Sequence, residues 1–353
     1  MGDGADARSG HHHGDSEVLQ GLEPSGGRAG DSRQGGVAPV ASRIAPGPTR
    51  RSSPAGLASS SSSVIFGLRI ISRLAALAPT FVFKIIDAVV VPVVCFFLRA
   101  KRQIVGANMR RVDPNLRGRE LRRVVNRAYR SYARYYLETL RLPFLNKRQI
   151  ESGIVVEGFE HIENGLLNGK GVILALPHLG GWEWSGRWLI HQGHQLHAVV
   201  ERLESEPVFK LFTELRKSYG VSVIPLDDNA GVAVQAALAK NEIVALLCDR
   251  DLQGNGVSTK FFGEITTVPA GPAFFALRTG AALLPLGTYF SPGFDQHRTV
   301  VMAPIAVTRA GSLREDISRL TQDLVDAIES LIRKAPEQWH LFQPNWPSDK
   351  TAV

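Results

Sequence analysis

The residues best placed to do chemistry are His178 and Glu183, within Leu176-Pro177-His178-Leu179-Gly180-Gly181-Trp182-Glu183. A carboxylate that accepts the N–H of one imidazole nitrogen leaves the other nitrogen as a base, and it stabilises the imidazolium that forms on protonation. That pairing suits deprotonation of an alcohol attacking an acyl group. On a continuous helix, residues five apart point about 140° away from each other, so the two side chains can meet only across a turn. The sequence supplies one. Residues 171–176 form an apolar run that predicts a buried strand, the Gly180-Gly181 pair interrupts it, and a helical pattern begins at Trp182. His178 is therefore expected on a strand-to-helix turn, with the amide N–H groups of the helix start close to where negative charge develops on an acyl oxygen. Taken alone, a histidine five residues before a glutamate fits a core or capping histidine beside an unrelated acid better than a catalytic pair.

Other polar residues end apolar runs in the same manner. Asp249, Arg250 and Asp251 follow one such run, and Glu201 and Arg202 follow another. Two carboxylates at i,i+2 can bind a divalent cation, but the intervening Arg250 neutralises them and no further acidic cluster accompanies them, so no metal and no cofactor are expected. Asp249 with Arg250 is expected to contact polar groups of an acceptor or to buttress His178, a plain ion pair being the competing reading. Arg202 has the guanidinium fork that suits phosphate oxygens. Pro269-Ala270-Gly271-Pro272 reads as a helix start, with Gly271 allowing close approach of backbone to a ligand. The apolar residues 273–277 that follow can line an acyl-chain groove or fill a core. No G-x-S-x-G elbow is present, so a covalent acyl-enzyme is not expected.

These residues need elements to hold them. Strands are predicted over 172–176, 197–200, 221–225, 243–248, 283–289 and 299–303, and helices over 182–191, 208–219, 231–239, 270–279 and 313–334. The alternation argues for an α/β fold with a parallel or mixed sheet flanked by helices, whose sites form at the carboxyl ends of strands.

Charge is distributed unevenly along the 353 residues. The net charge is +8, yet residues 64–148 carry 18 Lys or Arg against four acids, an excess of 14, leaving the remainder net acidic by six. Such an arm points to a partner bearing phosphates, lipid head groups or nucleic acid. Residues 64–98 are strongly apolar but are broken by Arg69, Arg73, Lys84, Asp87, Pro79 and Pro92, and no uninterrupted run reaches the ~20 residues needed to span hydrocarbon. Helices lying in one leaflet are the favoured reading, with a kinked span or a soluble packing helix as alternatives. Residues 117–142 extend it: Leu121, Val124, Val125, Ala128, Tyr132, Tyr136 and Leu140 form an apolar stripe, while Arg119, Arg122, Arg123, Arg127, Arg130 and Arg134 populate other faces. An almost acid-free set of arginines favours head-group contact over a solvated surface, and without a recognised reading motif nucleic acid is not an expected partner. Residues 1–63 are rich in Gly, Ser, Arg and Pro and are read as a disordered extension with no secretory signal. Cys95 and Cys248 both sit in apolar runs, as buried free thiols do.

Together the motifs resemble a known superfamily. The His178 to Glu183 block is similar to the H-x4-D/E motif of glycerolipid and lipid A-type acyltransferases. Val199-Val200-Glu201-Arg202 with Pro207 and Arg216, then Cys248-Asp249-Arg250-Asp251 with Phe261-Phe262-Gly263, then Thr267 to Pro272, and Arg278 to Ala281, follow in that superfamily's order. The resemblance runs from about 145 to 346, which implies an acyltransferase domain there, preceded by a membrane-associating helical arm over 64–144. The Asp-Arg-Asp form and the Gln338-Trp339 to Trp346 ending most resemble actinobacterial phosphatidylinositol mannoside acyltransferases. The resemblance implies a glycerolipid acyltransferase fold, acyl-CoA as donor, a mannose hydroxyl of an anionic glycolipid as acceptor, and residence at the cytoplasmic face of the plasma membrane. It also implies His178 and Glu183 as catalytic residues.

Overall fold

The computed structural model describes residues 99–201, 205–251 and 254–351. The predicted extension 1–63, the apolar part of the arm to residue 98, Cys95 and Arg202 lie outside the described residues.

In chain order the elements are α1 (Arg99–Val112), α2 (Gly118–Arg141), α3 (Lys147–Ser152), β1 (Ile154–Glu157), α4 (Phe159–Leu167), β2 (Val172–Leu176), α5 (Trp182–His191), β3 (Leu196–Val200), α6 (Glu206–Ser218), β4 (Ser222–Pro225), α7 (Ala230–Ala239), β5 (Ile243–Leu247), β6 (Val257–Phe261), β7 (Glu264–Val268), α8 (Gly271–Thr279), β8 (Ala282–Phe290), β9 (His297–Val301) and α9 (Leu313–Arg333). Seven strands form one sheet in the order β1-β9-β8-β2-β5-β3-β4, and β6 and β7 form a separate hairpin. Every neighbouring pair in the large sheet is parallel except β8 with β9. The expected α/β fold with a parallel-dominated sheet flanked by helices is therefore observed.

β2 lies between β5 and β8, and all five of its residues are buried, which is why it reads as an unbroken apolar run. On one side of the sheet, Ile173 and Ala175 join Val234, Leu283, Leu324 and Ile328. On the other, Leu174 and Leu176 join Trp184, Leu189, Leu196 and Leu284. This alternation is the two-residue period of a strand with both faces covered. α9 starts where Ser312 and Glu315 form a reciprocal capping box, and α3 starts in the same way at Asn146 and Gln149.

Helices α1 and α2 pack into the first of these cores through Val105, Met109, Val124, Val125, Ala128 and Tyr129. The predicted stripe on α2 is displaced toward its C-terminal end. Tyr129 and Tyr135 are buried, Tyr132 is only partly so, and Tyr136 is 39% exposed. A polar partner decides this, because the Tyr135 hydroxyl donates to Glu183 at 3.2 Å, and apolar periodicity carries no information about such bonds. Arg119, Arg122, Arg123, Arg127 and Arg130 are exposed, as expected. Arg134 departs from that set: it pairs with Glu138 at 2.7 Å and donates to the Ser291 carbonyl at 3.0 Å, tying α2 to the loop after β8. No helix among the described residues is long and apolar enough to cross a membrane.

Candidate active site

Strand register positions the two central side chains. In the parallel pair β2 and β5, Leu176 lies opposite Leu247, so His178 and Asp249 each leave the sheet two residues beyond matched positions on adjacent strands. Adjacent strands are only about 4.8 Å apart, which brings the side chains within hydrogen-bonding reach. His178 Nδ1 lies 2.6 Å from Asp249 Oδ1, and the His178 backbone N–H donates to Asp249 Oδ2 at 3.1 Å. Trp339 Nε1–H donates to the same Oδ2 at 2.8 Å. Asp249 has no exposed side-chain surface whereas His178 keeps 16%. Burial alone would raise the Asp249 pKa, but the His178 charge and the hydrogen bonds from His178 and Trp339 outweigh it and hold the carboxyl at about 2. An ionised carboxylate only accepts, so Nδ1 carries the ring proton and Nε2 is the basic nitrogen. Among the described residues Nε2 has no hydrogen-bond partner. Trp182 stands edge-to-face with the imidazole at 5.6 Å between centroids.

Glu183 lies elsewhere, and the expected contact between it and His178 is not made. Because α5 begins at Trp182, Glu183 belongs to its first turn and faces α6 rather than the turn that carries His178. Arg216 Nε donates to Oε1 at 3.0 Å and to Oε2 at 3.2 Å, and Arg216 Nη2 also donates to Oε1. The Tyr219 hydroxyl donates to Oε2 at 2.8 Å and the Tyr135 hydroxyl to Oε1. Burial pushes the Glu183 pKa up, and Arg216 with the two tyrosines overcomes that, leaving it below the usual carboxylate range. The five-residue spacing thus marks two adjoining sites: the imidazole at the turn, and a buried ion pair that fixes α5 to α2 and α6.

The remaining sequence-predicted residues separate. Arg250 pairs with Glu201 at 2.8 Å and also contacts Gln343, so it links the ends of β3 and β5 to the C-terminal segment. Asp251 accepts from the amides of Gly254 at 2.9 Å and Gly256 at 2.8 Å, bracing the turn that follows β5. Gly271 opens α8, and a Cβ at that position would meet only Phe275 Cε2, at 3.7 Å. Pro272, Ala273, Phe275, Ala276 and Leu277 on that helix are buried, with Phe275 and Ala276 in the core beside α9, so the core reading of 273–277 holds. Cys248 is a buried free thiol whose pKa burial raises.

Sequence reasoning missed the contribution of the C-terminal segment. The His340 N–H donates to the His178 carbonyl at 2.7 Å, and the Gly180 N–H donates to the Gln338 carbonyl at 2.9 Å. The His340 ring is buried, its Nε2 lies 2.8 Å from Ser131 Oγ, and burial followed by the nearby His178 holds its pKa down at about 3, so it is neutral. Nothing in spacing or periodicity announces these contacts; the cluster of aromatic residues at 339–346 was the one visible signal.

The family model for bacterial lipid A biosynthesis acyltransferases matches residues 56–348, and the chain belongs to that acyltransferase family. Phosphatidylinositol mannoside acyltransferase of Mycobacterium tuberculosis is 36% identical over 227 residues, covering 62% of this chain and 69% of its own. The protein of the same name from Mycolicibacterium smegmatis is 36% identical over 223 residues, covering 62% and 71%. A lipid A biosynthesis acyltransferase of Haemophilus influenzae is 23% identical over 246 residues, covering 68% and 74%.

Proposed function

We propose that the protein transfers a fatty acyl group from acyl-CoA to a mannose hydroxyl of a phosphatidylinositol mannoside, at the cytoplasmic face of the plasma membrane, with His178 as general base and Asp249 as the carboxylate that orients it. The observation that carries this reading is the short Asp249 to Nδ1 contact, which leaves Nε2 as the base at a partly exposed strand end. Nε2 takes the hydroxyl proton as the oxygen bonds to the thioester carbonyl carbon. Collapse of the tetrahedral adduct breaks the C–S bond, and the imidazolium returns the proton to the leaving thiolate. The thioester is already activated, so no acyl-enzyme is required. The start of α5, four residues after His178, offers a positive dipole end to the developing oxyanion.

Similarity to the two mycobacterial enzymes supports the choice of acceptor, and similarity to the Haemophilus enzyme favours a lipid A-type glycolipid as the second reading. The exposed arginines of α2 support docking on anionic lipid. Glu183, with Arg216, acts by holding α5 in place, and Arg250 acts by holding the strand ends; Arg202 remains a candidate phosphate ligand. The test is His178→Ala, assayed with radiolabelled palmitoyl-CoA and purified phosphatidylinositol mannosides. Transfer is abolished while the thermal midpoint and vesicle binding persist. Turnover near that of the wild type refutes the assignment and favours a non-catalytic membrane-binding module. Parallel reactions with palmitoyl-acyl carrier protein and with lipid A precursors decide donor and acceptor.

A further inference from the structure

We propose that Trp339 is a positioning residue for acyl transfer, acting through its indole N–H on Asp249; this rests on the reading of His178 and Asp249 given above. A carboxylate turns readily about its last torsion, whose energy profile is broad. Asp249 must nevertheless keep one oxygen on the imidazole, and two donors converging on the other oxygen define that plane: the His178 amide at 3.1 Å and the Trp339 indole at 2.8 Å. The first of these belongs to the same turn as the imidazole and moves with it. Trp339 comes from a different part of the chain and supplies an independent anchor.

The anchor is itself fixed on several sides. Trp339 has no exposed surface, and its ring packs against Phe262 at 5.5 Å and Phe261 at 5.8 Å. An antiparallel bridge joins it to Leu179, and the flanking bonds from Gly180 to Gln338 and from His340 to His178 align the segment with the turn. Asn345 Nδ2 donates to the Asp249 carbonyl at 3.3 Å. Further along, the Arg111 guanidinium of α1 stacks over Trp346 at 4.1 Å and pairs with Asp349 at 2.7 Å. An indole held this firmly delivers its N–H from a fixed point, whereas ring packing alone would need no N–H directed at the carboxylate.

The experiment replaces Trp339 with 3-benzothienylalanine, which keeps the bicyclic shape and exchanges the N–H for sulfur, with Trp339→Phe as the genetic counterpart. Both changes are also made in an Asp249→Asn background. With radiolabelled palmitoyl-CoA and phosphatidylinositol mannosides, kcat is expected to fall about 10-fold, the size of one charge-assisted hydrogen bond, with KM for both substrates unchanged and the thermal midpoint of the isostere lowered by only about 3–6 °C. In the Asp249→Asn background the isostere adds no further loss. Wild-type kcat in the isostere overturns the proposal, as does an equal loss with and without Asp249, or an isostere that fails to fold, since the N–H would then serve stability alone. Failure of the underlying reading shows separately, as an Asp249→Asn enzyme that retains turnover.

Discussion

Asp249→Asn removes a charge while keeping the shape, and the geometry dictates how the amide must sit. Asp249 Oδ2 receives two N–H donors, and Oδ1 faces His178 Nδ1 at 2.6 Å. An asparagine has one acceptor oxygen. If its amino group faces the two donors, two buried N–H groups go unpaired at about 1–3 kcal/mol each. If its oxygen faces them, the amino group meets Nδ1, which must then give up its proton. The second arrangement wins by several kcal/mol, and it moves the ring proton to Nε2, where the base is needed. Loss of a correctly protonated histidine in an analogous carboxylate-to-amide exchange costs on the order of 10⁴ in kcat, and a loss of 10³–10⁴ is expected here, about 4–5 kcal/mol in the barrier. KM should change little. The assay is steady-state transfer from radiolabelled palmitoyl-CoA, with circular dichroism and calorimetry confirming the fold. A kcat within about threefold of the wild type refutes the assigned tautomer.

Three further outcomes follow from the same structure. Arg216→Met strips the buried Glu183 carboxylate of its cation, which should cost about 3–5 kcal/mol and lower Tm by roughly 6–20 °C, partly restored by adding Glu183→Gln; an unchanged calorimetric Tm would show the pair to be dispensable. His340 has a native pKa of about 3 against 6.5 when unfolded, so between those values the unfolded chain binds a proton that the native ring refuses. Its contribution is complete above 6.5, falls as pH drops, and at about pH 4.5 has lost about 2–3 kcal/mol; His340→Gln should show a shallower decline of denaturant-derived stability below neutrality, and parallel curves would contradict this. Gly180 has φ +59°, and a Cβ there would overlap the Thr288 carbonyl oxygen, so Gly180→Ala should displace the His178 turn and cost at least about 1–3 kcal/mol, measured by urea unfolding alongside turnover.

Periodicity and turn chemistry carried most of the fold. The strand at Val172–Leu176 and the helix at Trp182–His191 coincide with their predicted limits, because one is a fully buried apolar run and the other follows a glycine break. Short or half-exposed elements were not anticipated: β1 has only four residues and exposes Val155, and the β6–β7 hairpin lies outside the main sheet. In the site, the position of His178 on a turn was legible, and so was its nearness to Asp249, since both follow predicted strands. Asp249 as a buttress of His178 was one of the roles expected for it, and the structure bears that role out, but the sequence did not decide between it and Glu183. Spacing favours Glu183, which is near in sequence, whereas the choice is made by the register of β2 against β5 and by the demand of Arg216, Tyr135 and Tyr219 for a buried acceptor. Long-range pairings of that kind leave no local signature.

The C-terminal brace also has a consequence for how the enzyme comes into being. His178 and Asp249 are separated by 71 residues and Asp249 and Trp339 by 90, so these contacts close large loops. Closing each loop costs only slightly more entropy for its length, and non-local contacts of this kind slow folding. During translation the sheet strands that carry the histidine and the aspartate leave the ribosome well before the tryptophan does. A nascent or prematurely terminated chain therefore holds His178 and Asp249 without the indole N–H that completes the contacts of Asp249, and that bond closes only when the last aromatic segment docks.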